Sequence, residues 1–398
     1  MRDSADLPDI LRHDLNRHFS ELLKFESIAE TERSDVYEKV RPEVERILNA
    51  VVREDLADPS AVEHGKAVRA AAWNLERGTH LEPIIETLAS DPRLAERDVY
   101  LLTELDHGMA RSGNRFVAQE IASALGLNYA FAPIYIALQK GSGVEAEAEG
   151  ENTYSIHGLA MFSRHPMTNV HAVPLPNGKD KMKGKEKRLG YLRALIADVE
   201  HPAGTFRAVT LHLDAHCSRA HRRTQMRIVL DHLETLPELP TVIGGDWNTS
   251  TYNSQNSTRA IMGYGRRVMM GPKRVVRNHY PHPDRYFERP MFRDLETRGF
   301  EYKPFNETGV GTLHYDIESV EKNTNLRDWV PEWCFPFIFW ASKRVGGSFS
   351  LRLDWFAGSG IHPVDESPPK TVGELVNEEG VPLSDHDAIT LDFRLSKG

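Results

Sequence analysis

Between residues 67 and 248, short apolar runs alternate with segments of helical period, and no other feature restricts the fold as tightly. The spacing predicts buried strands over 68–73, 99–103, 129–136, 157–164 and 241–243. It predicts helices over 81–88, 114–125 and 219–234, and a hairpin pair of strands over 191–199 and 206–213. Strands and helices taking turns in this way indicate an α/β domain. Further strands are expected over 351–356 and 388–393, with a short helix over 292–299.

The flanks read differently. Residues 1–66 carry Leu11, Leu15, Phe19, Leu22 and Leu23, then Val44, Ile47 and Val51, at helical spacing. They are expected to form a helical N-terminal extension to a main domain over 67–398. Insertions are expected near 140–152, 177–189, 251–290 and 313–349. The first is Gly-, Ala- and Glu-rich and reads as a solvated loop. The second holds six Lys/Arg over residues 179–188 against Asp180 and Glu186, a net +4 that suits a solvated loop or a contact to an anionic substrate. Residues 251–290 look irregular. Trp329, Trp333, Phe335, Phe337, Phe339 and Trp340 crowd the last insertion, either packing it onto the body or forming a lip for substrate.

Bulk properties exclude several classes. A net charge of −9 over 398 residues disfavours a protein that coats duplex DNA nonspecifically. Two cysteines, Cys217 and Cys334, are too few for a disulfide framework or a zinc cluster and suit a reducing compartment. Asp3, Asp6 and Asp9 with no apolar core do not read as a secretory signal. No run reaches the length of a membrane-crossing helix, so stable membrane insertion is not expected and a cytoplasmic location is.

Each of six apolar strands is expected to finish in polar residues of catalytic type: Asn74, Glu104, His212, Asp246 with Asn248, Asp354, and Asp385 with His386. One such ending is an ordinary turn. Six that converge on one rim of a sheet would build a crevice. On an extended chain Asp246 and Asn248, at i and i+2, share a face. An acid–amide pair suits holding a water or a phosphate oxygen beside a hard cation. Crowded carboxylates repel unless a divalent cation neutralises them, and oxygen donors without thiolates favour Mg²⁺ or Mn²⁺ over zinc.

Taken in order, Trp73-Asn74, Glu104, Ser163-Arg164, Thr210-Leu211-His212-Leu213, Gly245-Asp246-Trp247-Asn248, Leu353-Asp354-Trp355 and Ser384-Asp385-His386 resemble the endonuclease/exonuclease/phosphatase superfamily. The likeness spans roughly residues 67–395. It implies a four-layer α/β sandwich: two β-sheets face to face with helices outside, as in deoxyribonuclease I-like enzymes. It also implies hydrolysis of a phosphoester with Mg²⁺ (or Mn²⁺). By resemblance, Glu104 is the principal metal ligand, with Asn74 and Asp385 supporting it. Asp246 orients or deprotonates the attacking water, and Asn248 is its partner. His386 addresses the scissile phosphate with Asp354 behind its ring, and His212 donates to a non-bridging or leaving oxygen.

Arg164, Arg193, Arg222 and His216 are candidate contacts to substrate phosphate, with surface ion pairing the plain alternative. The leading expectation is a phosphodiester, in a nucleic acid or in a small or lipid ester, although the core residues do not separate it from a monoester. Phosphomonoesterase action is the alternative. A noncatalytic binding module on the same fold would be expected to lack some cleft residues, and none is missing.

Overall fold

The structure is a computed structural model that describes residues 9–58, 65–249, 253, 257–316, 336, 340, 343 and 348–396. Its larger sheet runs in the order Val52–Glu54, Asn128–Ala137, Ile156–Ser163, Val99–His107, Val68–Arg77, Ala388–Leu395, Ile361–Pro363. Arg188–Gly190 pairs with the Asn128–Ala137 strand and Lys370–Val372 with Ala388–Leu395. The smaller sheet runs Asp354–Ser359, Thr241–Asp246, Gly204–Leu211, Leu192–His201, Met167–Leu175.

Alternation along the central strands gives each of these two sheets two buried faces. Ala70, Ala72, Leu101 and Met161 of the larger sheet share a core with Ala208, Leu195 and Val242 of the smaller one. The opposite face of the larger sheet, with Trp73, Tyr100, Tyr129 and Phe162, packs against Ile84, Leu88 and Ile121 of the helices Leu81–Ser90 and Val117–Leu125. Helices Arg219–Leu233 and Arg289–Thr297 bury Met226, Val229, Met291 and Phe292 around Trp247 and Trp355 of the smaller sheet. The result is a four-layer α/β sandwich of two packed sheets with helices outside.

Close approach of the sheets needs small residues at the seam. A Cβ on Gly244 would meet Phe356 at 2.6 Å and Leu101 at 2.7 Å. Gly245 has φ +131°, and a Cβ there would lie 2.2 Å from the Leu211 carbonyl oxygen. These two glycines let the strand that ends in Asp246 lie flush against its neighbours.

Several local expectations change. Val52–Glu54 is a strand and not helix, because it completes the edge of the larger sheet by pairing with Tyr129–Phe131. Met167–Leu175, unforeseen, is an edge strand whose partly exposed residues lack a continuous apolar signal. The strand expected over 351–356 is two strands. Ser348–Leu351 pairs with Leu313–Asp316, and Asp354–Ser359 opens afresh after Arg352. Residues 257–286 are mostly helical and not irregular, including Ser257–Met270 and Pro283–Tyr286. Their apolar anchors, such as Val275 and Tyr280, join a small core with Leu313 and Leu351. Trp329, Trp333, Phe335, Phe337 and Phe339 lie outside the described residues, and Trp340 is exposed. Among the described residues no helix is long and apolar enough to cross a membrane.

His107 ends the Val99–His107 strand inside this packing. Its ring lies 4.2 Å from Phe116 and 4.8 Å from Tyr154, centroid to centroid, and neither ring nitrogen has a hydrogen-bond partner. Burial therefore pushes its pKa down, to about 3. The folded value lies below the unfolded one of 6.5, so the unfolded chain takes up the extra proton first. The stability tied to the neutral ring is present above about pH 6.5 and is lost as the pH falls toward 3. Replacing His107 by Phe keeps a ring in place without a titrating nitrogen. The melting temperature of that variant should decline less steeply with acidification than that of the native chain; equal slopes would assign the acid sensitivity to other groups.

Candidate active site

The two sheets meet at one rim, and the polar tips gather there. Val68–Arg77 runs parallel to Val99–His107, and Gly204–Leu211 runs parallel to Thr241–Asp246, so Asn74, Glu104, His212 and Asp246 lie at or near C-terminal strand ends. Asp354 and His386 reach the same rim from the other direction. Asp354 begins an antiparallel strand opposite Asp246, and His386 precedes Ala388–Leu395, which is antiparallel to Val68–Arg77. The expectation that all six strands finish at these residues is corrected accordingly: antiparallel pairing puts strand beginnings and strand ends on one rim.

Asn74 joins the sheets. Its Nδ2 donates to Glu104 Oε1 at 3.0 Å and to Asp246 Oδ2 at 3.2 Å. His212 Nε2 lies 3.5 Å from Asp246 Oδ2 and 4.0 Å from Glu104 Oε1. His386 Nδ1 is 2.8 Å from Asp354 Oδ2, and its Nε2 is 3.9 Å from Asp246 Oδ2. Thr312 Oγ1 donates to the same Asp354 oxygen at 2.6 Å and accepts from the Asp354 amide. Ser384 Oγ donates to Asn74 O at 2.6 Å, Trp73 Nε1 donates to His386 O, and the Asp385 amide donates to Glu76 Oε2 at 3.0 Å. Asn74, Asp246, Asn248, Asp354 and His386 are all buried.

Asn248 differs from its expected pose. It lies past the strand end with φ 51°, so it does not share an extended-chain face with Asp246. Its amide N–H donates to Asp246 Oδ1 at 2.9 Å, and its Nδ2 donates to Leu213 O and to Asp246 Oδ2. Asn248 thus braces the Asp246 carboxylate. Glu76, Arg77 and Glu104 also hold positive φ, at 45°, 71° and 57°. Each such residue costs on the order of 1–3 kcal/mol, and strain gathered on one rim marks a site whose side chains had to be aimed.

The charges explain what the rim can hold. Burial opposes ionisation of Glu104, but Arg77 and His212 outweigh it and hold the carboxyl well below its usual range. Burial raises Glu76, to about 8, with Asp385 and Glu104 adding repulsion. Asp385 is raised by burial, with Glu104 repelling it and His386 opposing the rise. Burial also raises Asp246, with His386 and His212 working against it. Burial disfavours charge on His386, yet Asp354 and Asp246 hold its imidazolium well above the usual range. Glu76, Glu104 and Asp385 repel one another, so the rim gathers carboxylate oxygens short of positive charge. That set fits a hard divalent cation. Among the described residues, Glu104, His212 and Asp246 place one ligand atom each within 4.8 Å of the others, as do Asp246, Asp354 and His386.

The three arginines expected to contact substrate are engaged elsewhere. Arg164 lies at the opposite rim: its backbone amide donates to Asp98 O and its Nε to Arg97 O. Six residues of strand from Asp98 to Glu104 put it roughly 20 Å away. Arg193 is buried, and its Nη1 donates to Leu48 O and Ala50 O, which ties down the N-terminal segment. Arg222 is buried in an ion pair with Glu288 at 2.6 Å, and its Nη1 donates to Asp214 O. Sequence could not show this, because a buried structural arginine and a phosphate-binding one carry the same letter. His216 is half-buried beside these residues, and desolvation with the nearby Lys181 holds its pKa well below the usual range.

Other rim residues went unforeseen. Arg77 lies 3.9 Å from Glu104 Oε2 and is gripped by Glu145 at 2.8 Å. Glu145 also takes Arg111 at 3.0 Å, so the 140–152 loop is folded onto the site rather than simply solvated. Arg111 in turn clamps Asp106, which holds His157 Nδ1 at 2.8 Å. Glu76 and Asp106 follow Asn74 and Glu104 by two residues, but positive φ at Glu76 and Glu104 and the register shifts beside them break the extended-chain alternation that would have flagged them. Thr312 gave no signal.

Residues 71–386 match the family described as Endonuclease/Exonuclease/phosphatase. A chain with that match and this acid- and imidazole-lined rim is an enzyme, a metal-dependent hydrolase of phosphoric esters. It belongs to the Endonuclease/Exonuclease/phosphatase family. Among solved structures, an endonuclease/exonuclease/phosphatase from Beutenbergia cavernae is 17% identical with a TM-score of 0.50, over 83% of this chain and 72% of that one. The human Nocturnin catalytic domain with bound sulfate is 15% identical with a TM-score of 0.44, over 87% of this chain and 97% of that one. TDP2 from D. rerio, complexed with a single-strand DNA product, is 14% identical with a TM-score of 0.44, over 83% and 100% of the two chains. A comparison of the sequence with curated proteins finds no match.

Substitution of Arg222 by Ala would strand the Glu288 carboxylate in the core and should cost about 3–5 kcal/mol in urea denaturation. The paired Arg222→Met, Glu288→Leu replacement should recover most of that stability. A raised KM with stability intact would return Arg222 to the substrate.

Proposed function

We propose that the enzyme hydrolyses a phosphodiester with Mg²⁺ as its working cation, by in-line attack of an activated water. Among the observations that support this reading, one carries it: carboxylates from both sheets, Glu104 and Asp246, converge on one Asn74 amide beside two imidazoles. Glu104, with Asn74 and Asp385 beside it, would hold the cation. When bound, the cation offsets the negative charge that grows on the phosphate oxygens. An all-oxygen donor set suits Mg²⁺, with Mn²⁺ a competent substitute.

Asp246 orients the attacking water and accepts its proton, with Asn248 fixing the direction of the carboxylate. His386, kept protonated by Asp354, donates to an oxygen of the scissile phosphate. His212, on the other side of Asp246, donates to a second non-bridging oxygen or to the leaving one. The charge balance favours a diester. Glu76, Glu104, Asp246, Asp354 and Asp385 face one guanidinium, Arg77, and one imidazolium, His386. A divalent cation brings this rim near neutrality, where one phosphate charge is more easily held than the two of a monoester.

The test is turnover of bis(p-nitrophenyl) phosphate against p-nitrophenyl phosphate, with Mg²⁺, Mn²⁺ or chelator. The diester should be the better substrate, and chelator should abolish its hydrolysis. Asp246→Asn and His386→Ala should each lower kcat by about three decades. Activity that survives both substitutions would sink these assignments.

A further inference from the structure

Residues 257–293 hold nine Lys or Arg against two acids, a net +7 inside a chain of net −9. Three of these cations, Arg285, Arg289 and Arg293, line a cavity of about 550 Å³ together with Arg219 and Arg223. All three are exposed. Local acids do not cancel the charge. Asp294 is taken by Arg223 at 2.6 Å, Glu288 by the buried Arg222, and Asp284 lies 3.9 Å from Arg285 Nε. Tyr286 is 49% exposed on the same cavity. One face of its ring lies 4.1 Å from His279, nearly parallel to it, so the stack is half built. A chain of buried hydrogen bonds runs from the cavity wall to the segment that follows His212. Arg222 ties Glu288, in the cavity wall, to the carbonyl of Asp214, two residues after His212.

We propose that this arginine-lined cavity is a second anion site, holding phosphates of a single-stranded oligonucleotide whose scissile bond lies at the catalytic rim. The proposal rests on the phosphodiesterase reading above and extends it to a substrate class. Guanidinium forks match phosphate oxygens in pairs, and an exposed tyrosine offers a face on which any base can stack. A concave, locally basic surface on an acidic protein suits a strand that threads into it. Duplex DNA would need a broad basic face, and an anionic bilayer a planar one with apolar anchors.

Binding of a fluorescein-labelled 12-nucleotide single strand, followed by anisotropy in chelator, reads the cavity without catalysis. The Arg285→Ala, Arg289→Ala, Arg293→Ala variant, its fold checked by melting temperature, should bind about tenfold or more weakly near 0.1 M salt. Its plot of log K against log salt should be shallower by about two units, at roughly 0.7 per lost phosphate contact. A native affinity and slope in a folded variant would overturn the proposal. So would loss of binding to phosphatidylglycerol vesicles with oligonucleotide binding intact. Failure of the native enzyme on bis(p-nitrophenyl) phosphate would count against the catalytic reading alone, since the anisotropy measurement does not depend on turnover.

Discussion

Two carboxylates from different sheets are held within reach of one side-chain amide, and the chemistry of this protein hangs on that bridge. Glu104 belongs to the larger sheet and Asp246 to the smaller, and Asn74 Nδ2 donates to both. Carboxylates brought together in a buried place repel, and the two N–H bonds offset only part of that cost. The rest of the rim follows from the same constraint. His212 and His386 approach the shared Asp246 from two sides, and Arg77 approaches Glu104. What positive charge the fold supplies still falls short of the acids, which is the condition a divalent cation relieves.

Rigid support surrounds this bridge. Asp354 is fixed by Thr312 and fixes His386 in turn, so the orientation of that ring is set before any substrate arrives. Asn248 uses an unfavourable backbone to aim two donors at Asp246. On the larger sheet, the Arg111–Asp106–His157 cluster and the Glu145 grip on Arg77 form a buried electrostatic wall beside Glu104. Local strain in Glu76, Arg77, Glu104 and Asn248 persists because the packing of two sheets over-determines it.

The division between legible and illegible features is physical. Strands such as Val99–His107 and Ile156–Ser163 were visible because both faces are buried, which writes a continuous apolar run into the chain. Met167–Leu175 lies at a sheet edge, half exposed, and carries no such run. The helices after residue 257 were hidden because their apolar residues serve a small satellite core and are diluted by arginine and proline. Asn74, Glu104, Asp246 and His386 stood out as polar residues at the tips of apolar strands. Arg164, Arg193 and Arg222 misled because the sign of a charge says nothing about which end of a sheet it occupies or whom it faces.

By itself the sequence determined the alternation of strands and helices, the family, and the identities of the acids, amides and imidazoles at the strand tips. These are local properties: period, residue type and order along the chain. Only the tertiary structure decided that Asp354 and His386 come to the rim from strand beginnings, that Asn248 turns back on Asp246, and that Glu145 closes on Arg77. Strand direction, bulges and the partner of a buried charge depend on contacts between residues tens to hundreds of positions apart. No local pattern in the chain records them.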